Sequence, residues 1–194
     1  MTKKDSKGSF NLIELKFRKD NGLNVTYSQI EEQGGNIIST KIEEKCNAGA
    51  HPDVDSLQAR LRIHFAAIHG LVPVSFVKKS FEDMKPKEKE LYQKMESTIT
   101  IKGFTIVGSD DDDKKYILKA NREVMPGGNI GMSTPKIMQD DSRYDGSAEL
   151  TSIMQLLEAE AFEYIVNKKH SQIAMEFPMV EADRNQDNTG LEAK

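Results

Sequence analysis

The chain has 194 residues, and 27 basic against 31 acidic side chains give it a formal net charge of −4. A charged content of 30% beside 37% hydrophobic residues is typical of a globular protein and argues against a fully disordered one. No segment approaches the roughly eighteen consecutive apolar residues of a membrane span, and no apolar signal segment follows the start. A single cysteine, Cys46, cannot form an intramolecular disulfide. We therefore expect a cytoplasmic protein that has no contact with a membrane.

An internal repeat is the strongest pattern in the sequence. The string from Gly34 to Ile37 recurs 93 residues later as Gly127 to Ile130. Leu57 and Leu150 are separated by the same interval, and each is the first large apolar residue of an amphipathic helical pattern. The order of elements matches as well as the letters, which predicts a tandem β-β-β-α duplication.

Residues 10–70 form the first predicted repeat. The segment 10–18 alternates, with Ile13, Leu15 and Phe17 on one face, as expected of a half-buried strand. Turn residues follow at 20–22 and 34–35, and they separate this strand from two more. After the last strand, His51 and a first-turn proline predict the start of a helix that ends at Gly70.

Residues 98–170 form the second predicted repeat, with strands at 98–107, 116–124 and 129–137. Gly103 marks a bulge in the first of these strands. Pro135 cannot donate to a ladder, so we expect the third strand to lie at an edge or to bulge there. Ser147 is predicted to cap a long amphipathic helix that runs to about Lys168.

The remaining segments connect or flank the two repeats. Residues 71–97 are predicted to be a connector with one short helix that carries Leu91 and Met95. A flexible N-terminus is expected at 1–9, and a polar, disordered tail at 171–194. Together these features predict an α+β protein: one pseudo-symmetric domain with antiparallel sheets and with helices packed on one side. The other sheet face is then exposed or covered by a partner.

The sequence contains no pattern that is typical of a catalytic, metal or cofactor site. His64 and His69 are five residues apart on one helix and cannot chelate a metal together; we interpret His64 as a boundary residue and His51 as a cap. The aspartate run 110–113 lacks the ligand spacing of a calcium loop and predicts a solvated hairpin loop. Cys46 has no CxxC partner. We therefore expect a non-enzymatic protein without a cofactor.

Cations and aromatic residues alternate along the predicted strands, as they do in proteins that bind single-stranded nucleic acid. Cations would contact phosphates and aromatic rings would stack on bases. Tyr27 and Tyr116 are the candidates for stacking, and the candidates for phosphate contacts are Lys16, Arg18, Lys102, Lys119 and Arg122. The alternative is that the aromatic residues are core and that the lysines protect and solubilise an open sheet.

The duplicated sheet-then-helix topology resembles the Whirly and Pur-alpha families, whose repeats bind single-stranded nucleic acid on the sheet surface. Those families have four strands per repeat where this sequence predicts three. Residues 132–168 carry a strand, the string Ser-Thr-Pro-Lys-Ile, an acidic loop and an amphipathic helix, and this order resembles small bacteriophage proteins of unknown function. That resemblance implies a place in the host cytoplasm and a role in DNA metabolism, host takeover or particle assembly. The resemblances imply single-stranded DNA or RNA as the partner.

Two other hypotheses stay open. One is a structural, assembly or host-takeover protein that acts through a homodimer or another protein contact, and the other is a small-ligand or enzymatic site between the repeats. Strand cations clustered on one face would favour nucleic acid, whereas cations dispersed among Glu14, Glu31 and Glu123 would favour protein contact.

Overall fold

The computed structural model describes residues 9–46, 49–108, 113–125 and 127–167. The predictions for the N-terminus, the C-terminal tail and Asp110 to Asp112 fall outside these ranges. Within these ranges lie seven strands, three α-helices and a short 3₁₀ helix at Val74–Lys78. The strands are β1 (Ser9–Phe17), β2 (Leu23–Gln33), β3 (Asn36–Cys46), β4 (Ile99–Val107), β5 (Lys115–Met125), β6 (Gly128–Ser133) and β7 (Ile137–Met138). The helices are α1 (Pro52–Ile68), α2 (Pro86–Thr98) and α3 (Ser147–Val166).

All seven strands belong to one antiparallel sheet. Its order is β3-β2-β1-β4-β5-β6, and β7 pairs with the beginning of β5. Each half of the chain contributes a meander, and the two meanders meet where β1 pairs with β4. The predicted α+β class with an antiparallel sheet is confirmed.

The β1–β4 junction is short and tight. Three residue pairs define it: Glu14 with Thr105, Leu15 with Phe104, and Lys16 with Gly103. Gly103 lies at a register shift of β4 and has φ 150°, so the bulge predicted there is confirmed. A Cβ atom added at this position would lie 2.0 Å from the Leu15 carbonyl oxygen. Only a glycine lets the two backbones approach this closely.

One face of the sheet carries the core. Register and alternation place Leu15, Val25, Phe104 and Leu118 on this face, and each is 0–1% exposed. The three α-helices pack over it, and they contribute fully buried side chains that include Leu61, Phe65, Ile153, Met154 and Leu157. No element within the described ranges covers the opposite face, which we call the open face. Its side chains at the middle of β1 and β4 are polar: Glu14, Lys16 and Thr105.

Two details of the strands differ from the sequence prediction. The register of β1 shifts between Leu12 and Glu14, so Ile13 is the extra residue of a bulge and Leu12, at 5% exposure, takes the core position. Alternation alone assigned Ile13 to the core because it cannot reveal a bulge. The predicted third strand of the second repeat is interrupted around Pro135, which leaves β6 and β7 as two short pieces along β5.

The helices also correct the prediction at two places. α3 begins after Gly146 with no side-chain cap, so Ser147 is the first helical residue rather than its cap. His51 does cap α1, because its Nδ1 accepts a hydrogen bond from the Asp53 amide at 3.3 Å. His64 is not a boundary residue: it is 1% exposed, and its Nδ1 lies 2.7 Å from the hydroxyl of buried Tyr144.

Replacement of Gly103 by alanine should open the junction between the two halves. The new methyl group would overlap the Leu15 carbonyl oxygen, so we expect Gly103→Ala to lower the free energy of unfolding by at least about 2 kcal/mol. Gly131→Ala on β6 is the matched control, since a Cβ there meets nothing closer than Asn121 Oδ1 at 3.8 Å. Urea unfolding compares them, and equal losses from both variants would contradict the tight junction.

Acid should destabilise the protein through His64. Burial and nearby Arg60 lower the pKa of His64 from 6.5 to about 4, so below pH 6.5 the unfolded chain binds more protons than the folded one. The free energy of unfolding therefore decreases as the pH falls. His64 accounts for about 2 kcal/mol of this decrease between pH 7 and 5. His64→Gln should remove that component in urea unfolding. His69→Gln should retain it and lose only the contribution of His69 itself, whose pKa is also lowered by burial and by nearby Arg122. An unchanged pH dependence in His64→Gln would contradict this assignment.

Candidate polyanion-binding face

Three lysines lie in one row across the open face. The strand registers align Lys45, Asn24, Lys16, Gly103, Lys119 and Ser133 at one level, one residue from each of six neighbouring strands. We call these six residues the lysine row. Strands lie about 4.8 Å apart, so the row extends roughly 24 Å across the sheet, with a lysine on every second strand. Because Gly103 has no side chain, Lys16 and Lys119 face each other directly across β4.

Three more lysines surround this row. Lys102 is half-buried and precedes Gly103 at the β4 bulge, one position after core residue Ile101, which places it on the open face. Lys41 and Lys115 lie on the same face by alternation, near opposite edges of the sheet. Their ammonium groups are 3.6 Å from Glu43 and 2.8 Å from Asp113, respectively.

Glu14 lies beside the row and binds two of its lysines. Its carboxylate accepts a hydrogen bond from Lys119 Nζ at 2.6 Å and is 2.9 Å from Lys16 Nζ. The Thr105 hydroxyl donates to the same carboxylate at 3.4 Å. Partial burial raises the pKa of Glu14, but the hydrogen bonds from Lys119 and Lys16 outweigh it and hold the pKa below its usual value. One carboxylate is thus shared by two ammonium groups, and the trio keeps one net positive charge.

The other predicted cations do not join the row. The guanidinium of Arg18 donates to the Cys46 carbonyl at 3.2 Å and pairs with Asp20, so it braces the β1–β2 turn. Arg122 pairs in register with buried Ile99 and therefore lies on the helix-covered face. There it lines an open groove of about 410 Å³ with Lys94 and other residues of α2 and β5. The structure brings together Lys16, Lys102 and Lys119 and separates them from Arg18 and Arg122.

The aromatic residues of the strands all lie on the helix-covered face. Tyr116 is 2% exposed and belongs to the core, so it has no free ring face for a base. Tyr27 shares the face of buried Leu12, and its ring packs on Phe10 with centroids 4.7 Å apart. Base stacking by Tyr27 or Tyr116 on the open face is therefore incompatible with this arrangement. Strand alternation could indicate one shared face for these residues, but it could not show which face the helices cover.

One group of side chains within the described ranges has the composition of a metal site. Ligand atoms of His51, Asp53 and Glu160 lie within 4.8 Å of one another. His51 Nδ1 is already engaged by the Asp53 amide and lies 2.8 Å from the Asp53 carboxylate. A divalent ion bound through Nδ1 would displace the capping bond of His51. The contact between His51 and Asp53 is accounted for by the capping of α1.

A cavity of about 260 Å³ lies between α1, α2 and the 3₁₀ helix. Its lining includes Arg60, His64, Lys79 and Tyr92. Lys79 pairs with Glu88 at 2.7 Å, and His64 is hydrogen-bonded to Tyr144. Neither this cavity nor the groove beside Arg122 lies at the β1–β4 junction, where a site between the two halves would be. Ser80 also lines the cavity, and its hydroxyl donates to the Asp83 carboxylate at 2.7 Å.

Comparisons with known proteins do not show which family this chain belongs to. No protein-family model, no curated protein and no solved structure matches the chain. Nothing in these comparisons identifies a Whirly-like or Pur-alpha-like fold, or a phage origin. Among the described helices, none has the length and apolar character needed to cross a membrane.

Proposed function

We propose that the open face binds the phosphate backbone of single-stranded DNA or RNA without catalysis. The observation that carries this proposal is the alignment of Lys45, Lys16 and Lys119 at one level of the sheet, with Lys102 beside them. Ammonium groups in a row offer repeated contacts to phosphates. With no aromatic residue of the described strands on this face, binding would be electrostatic and insensitive to base sequence.

The charge balance of the open face supports an anionic partner. On this face the described strands carry six lysines, at positions 16, 41, 45, 102, 115 and 119, and four carboxylates, at positions 14, 32, 43 and 123. The chain as a whole carries a formal charge of −4, so the excess of negative charge lies elsewhere. A local basic surface on an acidic protein is enough to attract a polyanion at moderate salt.

The shape of the face favours a single strand over a duplex. A bare sheet presents no helix or ribbon that could enter a groove of double-stranded DNA. A flexible single strand can instead follow a row of cations across the sheet. Phage DNA metabolism would be one setting for such an activity.

We also propose that the two halves derive from a duplicated β-β-β-α unit. Two features support this history. The sheet order β3-β2-β1-β4-β5-β6 is mirrored about the junction, and the equivalent glycines Gly34 and Gly127 both have positive φ in the turn before the third strand of each half. A duplication would explain why both halves present the same face of their meanders to the helices.

Removal of two lysines of the lysine row should weaken binding and make it less dependent on salt. Each phosphate contact to single-stranded nucleic acid contributes about 0.7 to the slope of log K against log salt, so Lys16→Ala/Lys119→Ala should lower that slope by about 1.4. We expect affinity at 50 mM salt to fall about tenfold or more. Fluorescence anisotropy with a labelled single-stranded oligonucleotide, between about 50 and 200 mM salt and with duplex competitor, measures both.

The matched control is Lys87→Ala/Lys89→Ala, which removes two charges from α2, away from the row. Equal weakening by both double variants would show non-specific attraction to the whole protein. No binding of the wild-type chain at low salt would overturn the proposal. The protein-contact hypothesis would then be preferred, since Glu14 lies among the cations.

Neutralisation of Glu14 should strengthen nucleic-acid binding. The carboxylate competes with phosphate for Lys16 and Lys119, so Glu14→Gln should raise affinity several-fold at 50 mM salt. Glu90→Gln on α2 removes the same charge from an exposed site and should change affinity little. The same anisotropy titration measures the affinity of both variants. Weaker binding by Glu14→Gln would mean that the contacts of Glu14 with Lys16 and Lys119 serve only to hold β1 to β5.

A further inference from the structure

Strand β3 is a long, exposed edge of the sheet. It extends over eleven residues, pairs only with β2 among the described strands, and has exposed side chains from Asn36 to Lys41. Ile37 and Ile38 are 79% and 43% exposed. The opposite edge is short and interrupted, because β6 has six residues and Pro135 separates it from β7. One edge of this sheet is therefore available for strand pairing and the other is poorly suited to it.

The β2–β3 turn determines which backbone groups of β3 point outward. Gly34 and Gly35 both have positive φ, and Gln33 pairs with Asn36, which makes a two-residue hairpin turn. The pair that closes such a turn is hydrogen-bonded, and hydrogen-bonded pairs alternate along the ladder. The outward N–H and C=O groups therefore belong to the odd-numbered residues, Ile37, Ser39, Lys41, Glu43 and Lys45.

The edge is complementary in charge to a second copy of itself. Consider two antiparallel β3 strands related by a two-fold axis through Ile42. Lys41 of each copy then lies opposite Glu43 of the other, and the outward groups of Ser39 meet those of Lys45. The same register places Ile42 beside Ile42, and Ile38 beside Cys46. Opposite charges directly across a strand pair stabilise it.

Neighbouring registers are less favourable. A shift of the axis by one residue toward the N-terminus places Lys41 opposite Lys41. A shift by one residue toward the C-terminus places Glu43 opposite Glu43 and Lys41 opposite Lys45. Like charges directly across a strand pair are destabilising, so the charges on β3 disfavour both neighbouring registers.

We propose that the chain forms a two-fold symmetric homodimer by antiparallel pairing of β3 with β3 about Ile42. The interface is isologous and closes on itself, and the interrupted β6–β7 edge opposes further growth into a fibre. The axis is perpendicular to the sheet, so both open faces lie on the same side of one continuous sheet. The dimer does not depend on nucleic-acid binding, and its test needs no nucleic acid.

A charge-swap series tests the pairing. Glu43→Lys places lysine opposite lysine and should raise the dimer dissociation constant about tenfold or more, and Lys41→Glu should do the same with carboxylates. The double variant Lys41→Glu/Glu43→Lys recreates both opposite-charge pairs and should restore dimerisation. Glu90→Lys is the control for a charge reversal away from the edge. Sedimentation equilibrium of each full-length variant measures the association, and circular dichroism checks that each one folds.

A cysteine placed on the two-fold axis tests the register independently. Residue 42 forms a non-hydrogen-bonded pair with its own copy, in which Cα atoms are about 4.5 Å apart, within the range that a disulfide spans. Ile42→Cys in a Cys46→Ser background should therefore form an intermolecular disulfide under mild oxidation. Thr40→Cys in the same background lies opposite Glu44 and should not. A wild-type chain that stays monomeric at about 100 μM, a double variant that fails to recover, or preferential crosslinking of Thr40→Cys would each overturn the proposal.

Discussion

The close approach of two backbones at Gly103 is the constraint on which the rest of the structure depends. Three residue pairs join β1 to β4, and through them the two meanders become one sheet. The missing side chain at Gly103 lets the Leu15 carbonyl lie where a Cβ would otherwise be. It also removes a side chain that would otherwise lie between Lys16 and Lys119. The same residue therefore holds the sheet together and brings two of its cations into contact with one carboxylate.

The two faces of this sheet have different physical roles. On one face, Leu15, Phe104 and Leu118 are buried beneath the helices, and burial of such side chains is the main source of folding free energy. On the other face, polar residues remain in water because no described element covers them. A single sheet with one solvated face is an ordinary antiparallel arrangement, and solubility alone would account for scattered lysines there. What distinguishes this face is that Lys45, Lys16 and Lys119 share one level, which a merely solvated surface does not require.

Local patterns in the sequence predicted most of the elements but not their spatial order. Alternation predicted the strands. Gly103 and Pro135 predicted the bulge and the interrupted edge, because glycine and proline change the backbone conformation and hydrogen bonding at their own positions. Strand order depends on long-range pairing, which no local pattern encodes. The bulge in β1 places Leu12 rather than Ile13 in the core. Arg122, Tyr27 and Tyr116 all lie on the helix-covered face. The candidate site therefore keeps Lys16, Lys102 and Lys119 but no aromatic residue. The burial of His64 follows from its contact with Tyr144, eighty residues away.

The central claim is that the open face, and not the helix-covered face, receives an anionic chain. Amide chemical-shift mapping by NMR during titration with a short single-stranded oligonucleotide tests it most directly. The account predicts shifts confined to the backbone around Lys45, Lys16, Lys102 and Lys119, which disappear at high salt. Shifts concentrated on α1 or α3, or around Arg122 beside α2, would contradict it, as would an unchanged spectrum at low salt.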